Sequence, residues 1–260
     1  MKKIAFLFLI YDKINLEELW QRFFRNVDVD KYNIYIHYKH NKPLKYFEKY
    51  KLNNCIDTTY ANISLVKAQN ILLKESLKDA NNEHFIFVSN SCIPFKKFEH
   101  IYNNLDISKS YFNITPQEHC FPRCNDLLNY IDKKYIQKAS QWCILNKKHS
   151  DVIINDEKIY KWCENMYSPD EICYITIIFM NNLQNEIITT LNCSDKATTF
   201  TNWKGMDYKF SSVIGLKNYN FISNEEIAHL INSNCFFGRK FNRECILSLL
   251  NSNYIHIIQN

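Results

Sequence analysis

Glycine and proline are scarce, at 3 and 5 residues among 260, which excludes collagen-like, linker-rich and low-complexity chains. No apolar stretch approaches the roughly 18 residues needed to cross a bilayer, so no membrane span is expected. No internal repeat is visible. The lysines are scattered rather than gathered into one block, so the formal net charge of +5 is a weak footprint for nucleic acid and fits a solvated basic surface. Two or three well-placed cations would still serve a phosphate-bearing small molecule. The opening Met1-Lys2-Lys3 and the apolar run from Ile4 to Tyr11 imitate a signal peptide, yet a small-residue cleavage site is missing and the run stops at Asp12 and Lys13. The run reads as a buried first strand, and the chain as cytoplasmic.

What is present is core material: 46% hydrophobic and 15% aromatic residues, enough for one sizeable globular domain. The ten cysteines are irregularly spaced and read mainly as reduced, buried small hydrophobes. His119-Cys120 with Cys124 is the nearest approach to a metal signature, and no second cluster has matching spacing.

Periodicity predicts alternating elements. Lys3 to Ile10, Tyr32 to His37 and His84 to Ser89 read as strands; Leu16 to Phe24 and Ser64 to Leu77 read as helices, the second with Leu65, Ala68, Leu72 and Leu73 as its stripe. Such alternation argues an α/β fold with a parallel, helix-covered sheet. Ligands gather beyond the carboxyl ends of parallel strands, so Tyr11, His37 and the turn Ser89-Asn90-Ser91 are expected to converge. The second half is less regular, with strands expected at Ser140 to Leu145 and Thr198 to Trp203, helices from Asp170 and Asn224, and an apolar turn from Cys235 to Phe241.

Four short motifs stand out: Lys138-Ala139-Ser140-Gln141-Trp142, Ser168-Pro169-Asp170-Glu171, Thr201-Asn202-Trp203 and Phe237-Gly238-Arg239-Lys240-Phe241. Alone, each has a bland reading. The Ser-Pro-Asp-Glu string reads as a helix start, with Ser168 as N-cap and both carboxylates favoured by the helix dipole. Trp203 reads as a core residue, and Arg123, Lys138 and Arg239 as solvated charges.

In order and together with Ile4 to Leu9, Leu19 to Phe24, Ile34 to His37 and Phe87-Val88-Ser89-Asn90-Ser91-Cys92-Ile93-Pro94, these motifs resemble the core-2/I-branching N-acetylglucosaminyltransferase and xylosyltransferase family (glycosyltransferase family 14), including its plant and giant-virus members. The resemblance spans nearly the whole chain. It implies a GT-A-type, mostly parallel sheet flanked by helices, in one domain of residues 1–260 with a nucleotide-binding half (1–105) and an acceptor and diphosphate-binding half (106–260). It implies a UDP-sugar donor, a glycan or glycoprotein acceptor, inversion at the anomeric carbon, and no divalent metal or other cofactor. N-acetylglucosamine is favoured as the transferred sugar, ahead of xylose and glucose.

Carried over residue by residue, the resemblance makes Glu171 the general base. It assigns the leaving diphosphate to Lys240, with Lys209 and Arg239 as further cations; the nucleotide to Ile10, Tyr11, His37 and Ser64; and the acceptor to Trp203, Arg123, Lys138 and Trp142. Asp170 is expected to bond backbone at the helix start. Inversion needs one direct displacement, so a carboxylate must take the acceptor hydroxyl's proton as it attacks. Metal-dependent relatives of the fold use Asp-x-Asp after a central strand, where this chain has Ser89-Asn90-Ser91. Its single Asp-x-Asp, Asp28-Val29-Asp30, precedes the second strand and reads as a surface turn. Lys39 replaces an acidic residue found in some relatives. The competing readings are a non-catalytic nucleotide-sugar or glycan binding protein of the same fold, a metal-dependent or retaining transferase, and a nucleic-acid binder with stacking aromatics.

Overall fold

The computed structural model describes residues 2–121, 123–191 and 198–259. Strand β1 (Lys3–Ile10) lies inside the main sheet because it is apolar on both sides. Ala5, Leu7 and Leu9 enter one core, and Ile4, Phe6, Phe8 and Ile10 the other, following the two-residue alternation of a strand. Helix α1 (Glu17–Phe23) follows, then β2 (Tyr32–Tyr38), helix α2 (Ile63–Ser76) and β3 (Asn82–Ser89). Both β2 and β3 lie parallel to β1, one on each side, and the two helices supply the crossovers that parallel neighbours require. The Trp20 indole of α1 packs edge-on to Phe6 and Phe8 and donates its Nε1 proton to the Cys92 carbonyl at 2.9 Å. On α2, Asn62 caps the helix by accepting from the Ser64 amide, and Val66, Ala68, Leu72 and Leu73 face the core.

Beyond β3 the sheet becomes mixed. The chain continues through β4 (Ile93–Pro94), α3 (Phe98–Asn104), β5 (Ser110–Thr115), β6 (Lys138–Ala139) and β7 (Ile144–Asn146). Helices α4 (Lys147–Asn155), α5 (Glu157–Trp162) and α6 (Cys173–Met180) precede β8 (Ile187–Leu191). The main sheet has the order β2-β1-β3-β7-β5-β6, with β8 paired to β5. Strand β7 runs antiparallel to β3 and β5, β6 runs antiparallel to β5, and β8 is parallel to β5. The architecture is therefore α/β, parallel in its first three strands and mixed overall. A smaller sheet, β4-β10-β9, joins β9 (Thr199–Thr201) and β10 (Phe237–Arg239), and α7 (Asn224–Asn232), capped by Ser223, packs into its core.

Three local expectations change. The strand expected from Ser140 to Leu145 is divided between β6 and β7, because the Ser140 to Cys143 segment turns out of the ladder. The apolar turn expected from Cys235 to Phe241 contains strand β10, sandwiched between β4 and β9. A Cβ on Gly238 of β10 would meet the Phe95 ring at 2.1 Å, so only glycine lets this strand approach. Ser168 is not a helix cap: its backbone is left-handed (φ 55°), its side chain caps nothing, and a 3₁₀ turn, Pro169–Glu171, precedes α6. Asp28 closes the expected surface turn by accepting from the Asp30 amide. Among the described cysteines all are free thiols, and eight are buried, with Cys55 half-buried.

Candidate active site

Two cavities lie side by side. The first, about 430 Å³, opens at the carboxyl ends of β1 and β3 and is lined by Ile10, Tyr11, Ser89, Asn90, Trp142, Arg239 and Lys240, among others. Its floor is stitched together by hydrogen bonds. The Asn15 amide donates to the Asn90 carbonyl (2.8 Å), Asn15 Nδ2 to the Phe241 carbonyl (3.0 Å), and the Phe241 amide to the Ser91 carbonyl (2.9 Å). These bonds tie the polar turn after β3 to the Arg239–Phe241 segment, although about 150 residues separate them in the chain.

Arg239 and Lys240 bring positive charge to this cavity, which Lys39 also lines while paired with Asp57 at 3.5 Å. The Arg239 guanidinium lies 4.8 Å over the Trp142 ring, and its buried Nε has no hydrogen-bond partner. Burial, then the Arg239 charge, pushes the Lys240 ammonium below the usual lysine range. Neither cation pairs with a carboxylate among the described residues. Two adjacent, partly desolvated cations with no described carboxylate at ion-pair distance favour an anion, although the charges of Glu171 and Asp170 also act on Arg239.

The second cavity, about 670 Å³, is lined by Arg123, Lys138, Glu171 and Trp203, together with Tyr60, His119, Tyr167 and Lys204. The Trp203 indole is 40% exposed, open to a ligand rather than buried in the core. Arg123 stacks on Tyr167, 5.3 Å from the ring centre, and Lys138 Nζ lies 3.4 Å from Glu171 Oε2. Behind Glu171, Asp170 is buried with its Oδ1 unpartnered, and burial, then the Glu171 charge, pushes its carboxyl up to about 7.

Tyr60 lines both cavities. The left-handed residues Ala61 and Ser168 (φ 55° each) hold its loop, the Ser168 amide donating to the Ala61 carbonyl at 2.9 Å, so that Tyr60 and Tyr167 meet. Left-handed backbone at non-glycine residues stores strain of the kind found at functional sites.

The structure thus brings together Ile10, Tyr11, Trp142, Arg239 and Lys240 in one cavity, and Glu171, Trp203, Arg123 and Lys138 in the other. Trp142, expected on the acceptor side, stands in the first cavity beneath Arg239. His37, Ser64 and Lys209 line neither. His37 is fully buried, its Nε2 accepts from the Ile56 amide at 2.9 Å, and burial lowers its imidazole to about 4. Ser64 Oγ accepts from the Thr59 amide at 2.9 Å, which fixes the loop bearing Thr58 and Tyr60. Lys209 is paired with Glu225 on the exposed surface. Tyr60 and Tyr167 escaped sequence reasoning because neither belongs to a motif. Their signal is the pair of left-handed residues beside them, which a sequence without glycine there conceals. Among the described residues no group of three or more His, Cys, Asp or Glu side chains is arranged to hold a metal ion, and no helix is long and apolar enough to cross a membrane.

Comparison with known proteins places this geometry in context. Residues 4–230 match the model of the Core-2/I-Branching enzyme family. A glycosyltransferase named BC10, from Oryza sativa subsp. japonica, is 29% identical over 165 residues, which are 60% of this chain and 41% of that protein. The chain therefore spans about two-fifths of its length. The crystal structure of the galactosyltransferase LgtC with donor and acceptor sugar analogs covers 90% of this chain and 86% of its own, at 8% identity and a TM-score of 0.46, a likeness too distant to inform on the site. With the family match running from β1 into α7 and taking in both cavities' motifs up to Trp203, the chain belongs to the Core-2/I-branching enzyme family of glycosyltransferases.

Proposed function

We propose that this chain is an inverting, metal-independent glycosyltransferase that moves a sugar from a UDP-sugar to a hydroxyl of a glycan or glycoprotein acceptor. The observation that carries the reading is the placement, in one cavity, of two cations without an ion pair among the described residues and, in its neighbour, of a carboxylate, Glu171. Unpaired cations, Arg239 and Lys240, line one, and the Glu171 carboxylate lines the other, with Tyr60 common to both. In-line displacement needs that arrangement: a leaving group on one side of the anomeric carbon and a base on the other.

The acceptor hydroxyl oxygen attacks the anomeric carbon while its proton passes to Glu171. The bond from that carbon to the diphosphate oxygen breaks, and the electron pair leaves with the diphosphate, whose growing charge faces Lys240 and Arg239. Fixed cations in a partly dry cavity supply electrostatic stabilisation without reorganising. Ser89 and Asn90 line the cavity where metal-dependent enzymes of this fold carry acidic ligands, which supports the metal-free reading. The uridine is assigned to the Ile10 and Tyr11 end. Trp203 offers an indole face for the acceptor's C–H surface, with Arg123 beside it. N-acetylglucosamine remains the favoured sugar, ahead of xylose and glucose, on family resemblance alone.

The test is transfer from a panel of UDP-sugars in excess chelator, by wild type and Glu171→Gln. Metal-free transfer that the substitution abolishes supports the proposal. Transfer that requires added metal, or that survives Glu171→Gln at near-normal rate, refutes it.

A further inference from the structure

Two carboxyl groups stand side by side where the cavities meet, and one of them lines the acceptor cavity. Glu171 reaches that cavity with its side chain 32% exposed, whereas Asp170 is 8% exposed and lines only the tight crevice behind it. Several charged or ionisable neighbours act on both: the Arg239 guanidinium and the Tyr60 hydroxyl each face Asp170 and Glu171. The Cys173 thiol faces Asp170 from the start of α6. Lys138 distinguishes the two carboxyls. Its Nζ lies 3.4 Å from Glu171 Oε2 and makes no other ion pair among the described residues, on a side chain only 17% exposed. The backbone that carries this side chain is fixed, because Lys138 pairs with Thr115 in the β5–β6 ladder.

We infer that Lys138 is a positioning residue that selects which carboxyl serves as the base: its ammonium holds Glu171, and not the buried Asp170, turned into the acceptor cavity. The inference rests on the proposed role of Glu171 and deepens it. Adjacent carboxyls in a partly dry site resist ionising together, and the one beside a cation keeps its charge. The upward push on Asp170 by burial and by its neighbour's charge agrees with this division. Once Glu171 has taken the acceptor's proton, the ammonium has lost its partner, which favours release of that proton to solvent through the open cavity. Arg123, His119 and Lys204 also line this cavity, but no ion pair links any of them to Glu171 among the described residues.

The decisive experiment follows the carboxyl carbons of protein labelled at Asp and Glu by ¹³C NMR as pH is raised. Asp170→Asn and Glu171→Gln assign the two signals, and the effect of Lys138→Gln is read against Lys138→Arg. In Lys138→Gln the Glu171 transition moves up by about one pH unit and Lys138→Arg restores it; an unmoved transition overturns the inference. In the transfer reaction, the acid limb of the rate profile rises by the same amount, about tenfold slower transfer below it, with the acceptor KM unchanged. A raised acceptor KM with an unmoved limb would make Lys138 an acceptor contact instead. The NMR titration needs no turnover, so a wild-type protein that transfers no sugar refutes the glycosyltransferase reading while the Lys138 question is still decided.

Discussion

The two cavities are built from different materials. The proposed donor side rests on the ends of β1 and β3, strands buried on both faces, and its polar turn is cross-braced by hydrogen bonds through Asn15, Ser91 and Phe241. The proposed acceptor side is assembled mostly from loops and turns, joined by Thr115 and Lys138 of the β5–β6 ladder. Arg123 follows a 3₁₀ turn, Glu171 ends another, Tyr60 and Tyr167 sit beside left-handed residues, and Trp203 follows a three-residue strand. A rigid donor side suits a nucleotide common to many transferases, while loops suit an acceptor that differs among them. The comparison breaks if substitutions on one side disturb ligands on the other.

Glu171→Gln gives the largest expected effect, a turnover loss of about 10²- to 10⁴-fold with UDP affinity unchanged by calorimetry. Weaker UDP binding in that variant would show that the two sides are not separable. Lys240→Ala comes next. Losing a hydrogen bond to a charged group costs about 1.5–3 kcal/mol, so UDP binding should weaken about tenfold to a hundredfold while the acceptor KM stays constant.

Acid probes the parallel strands β2 and β3 through their buried histidines. Burial lowers His37 and His84 to about 4 in the folded protein, against about 6.5 when unfolded. The folded state thus favours their neutral forms. Their contribution is complete above about pH 6.5 and is lost as pH falls from there towards 4, by up to about 3 kcal/mol each. Urea unfolding at pH 7, 5.5 and 4 should show the decline, with hydrogen exchange rising first in β2 and β3; constant stability to pH 4 would contradict it. Trp203→Ala has the smallest expected effect, an acceptor KM raised about three- to tenfold with UDP binding and stability little changed, since the indole is partly exposed already.

The same contrast decides what was legible in the sequence. Doubly buried strands announce themselves as apolar runs, and Lys3–Ile10 and Asn82–Ser89 fell within a residue or two of expectation. Strand β10 was hidden because three residues carry no periodicity and its place depends on Gly238 meeting Phe95, a contact between distant segments. Among the candidate site residues, Glu171, Trp203, Arg123 and Lys138 line one cavity, Lys138 from strand β6 and the others from loops and turns. Lys209 instead pairs with Glu225, a partnership that order along the chain does not reveal. Ser64 and His37 brace the donor side through the Thr59 and Ile56 amides, a supporting role that resemblance does not distinguish from contact.

The most direct test of this division is calorimetric titration of UDP into wild type, Lys240→Ala and Glu171→Gln, all in excess chelator. The account predicts equal affinity for wild type and Glu171→Gln, and clearly weaker binding for Lys240→Ala. No binding by wild type without metal, or equal binding by all three proteins, would contradict it.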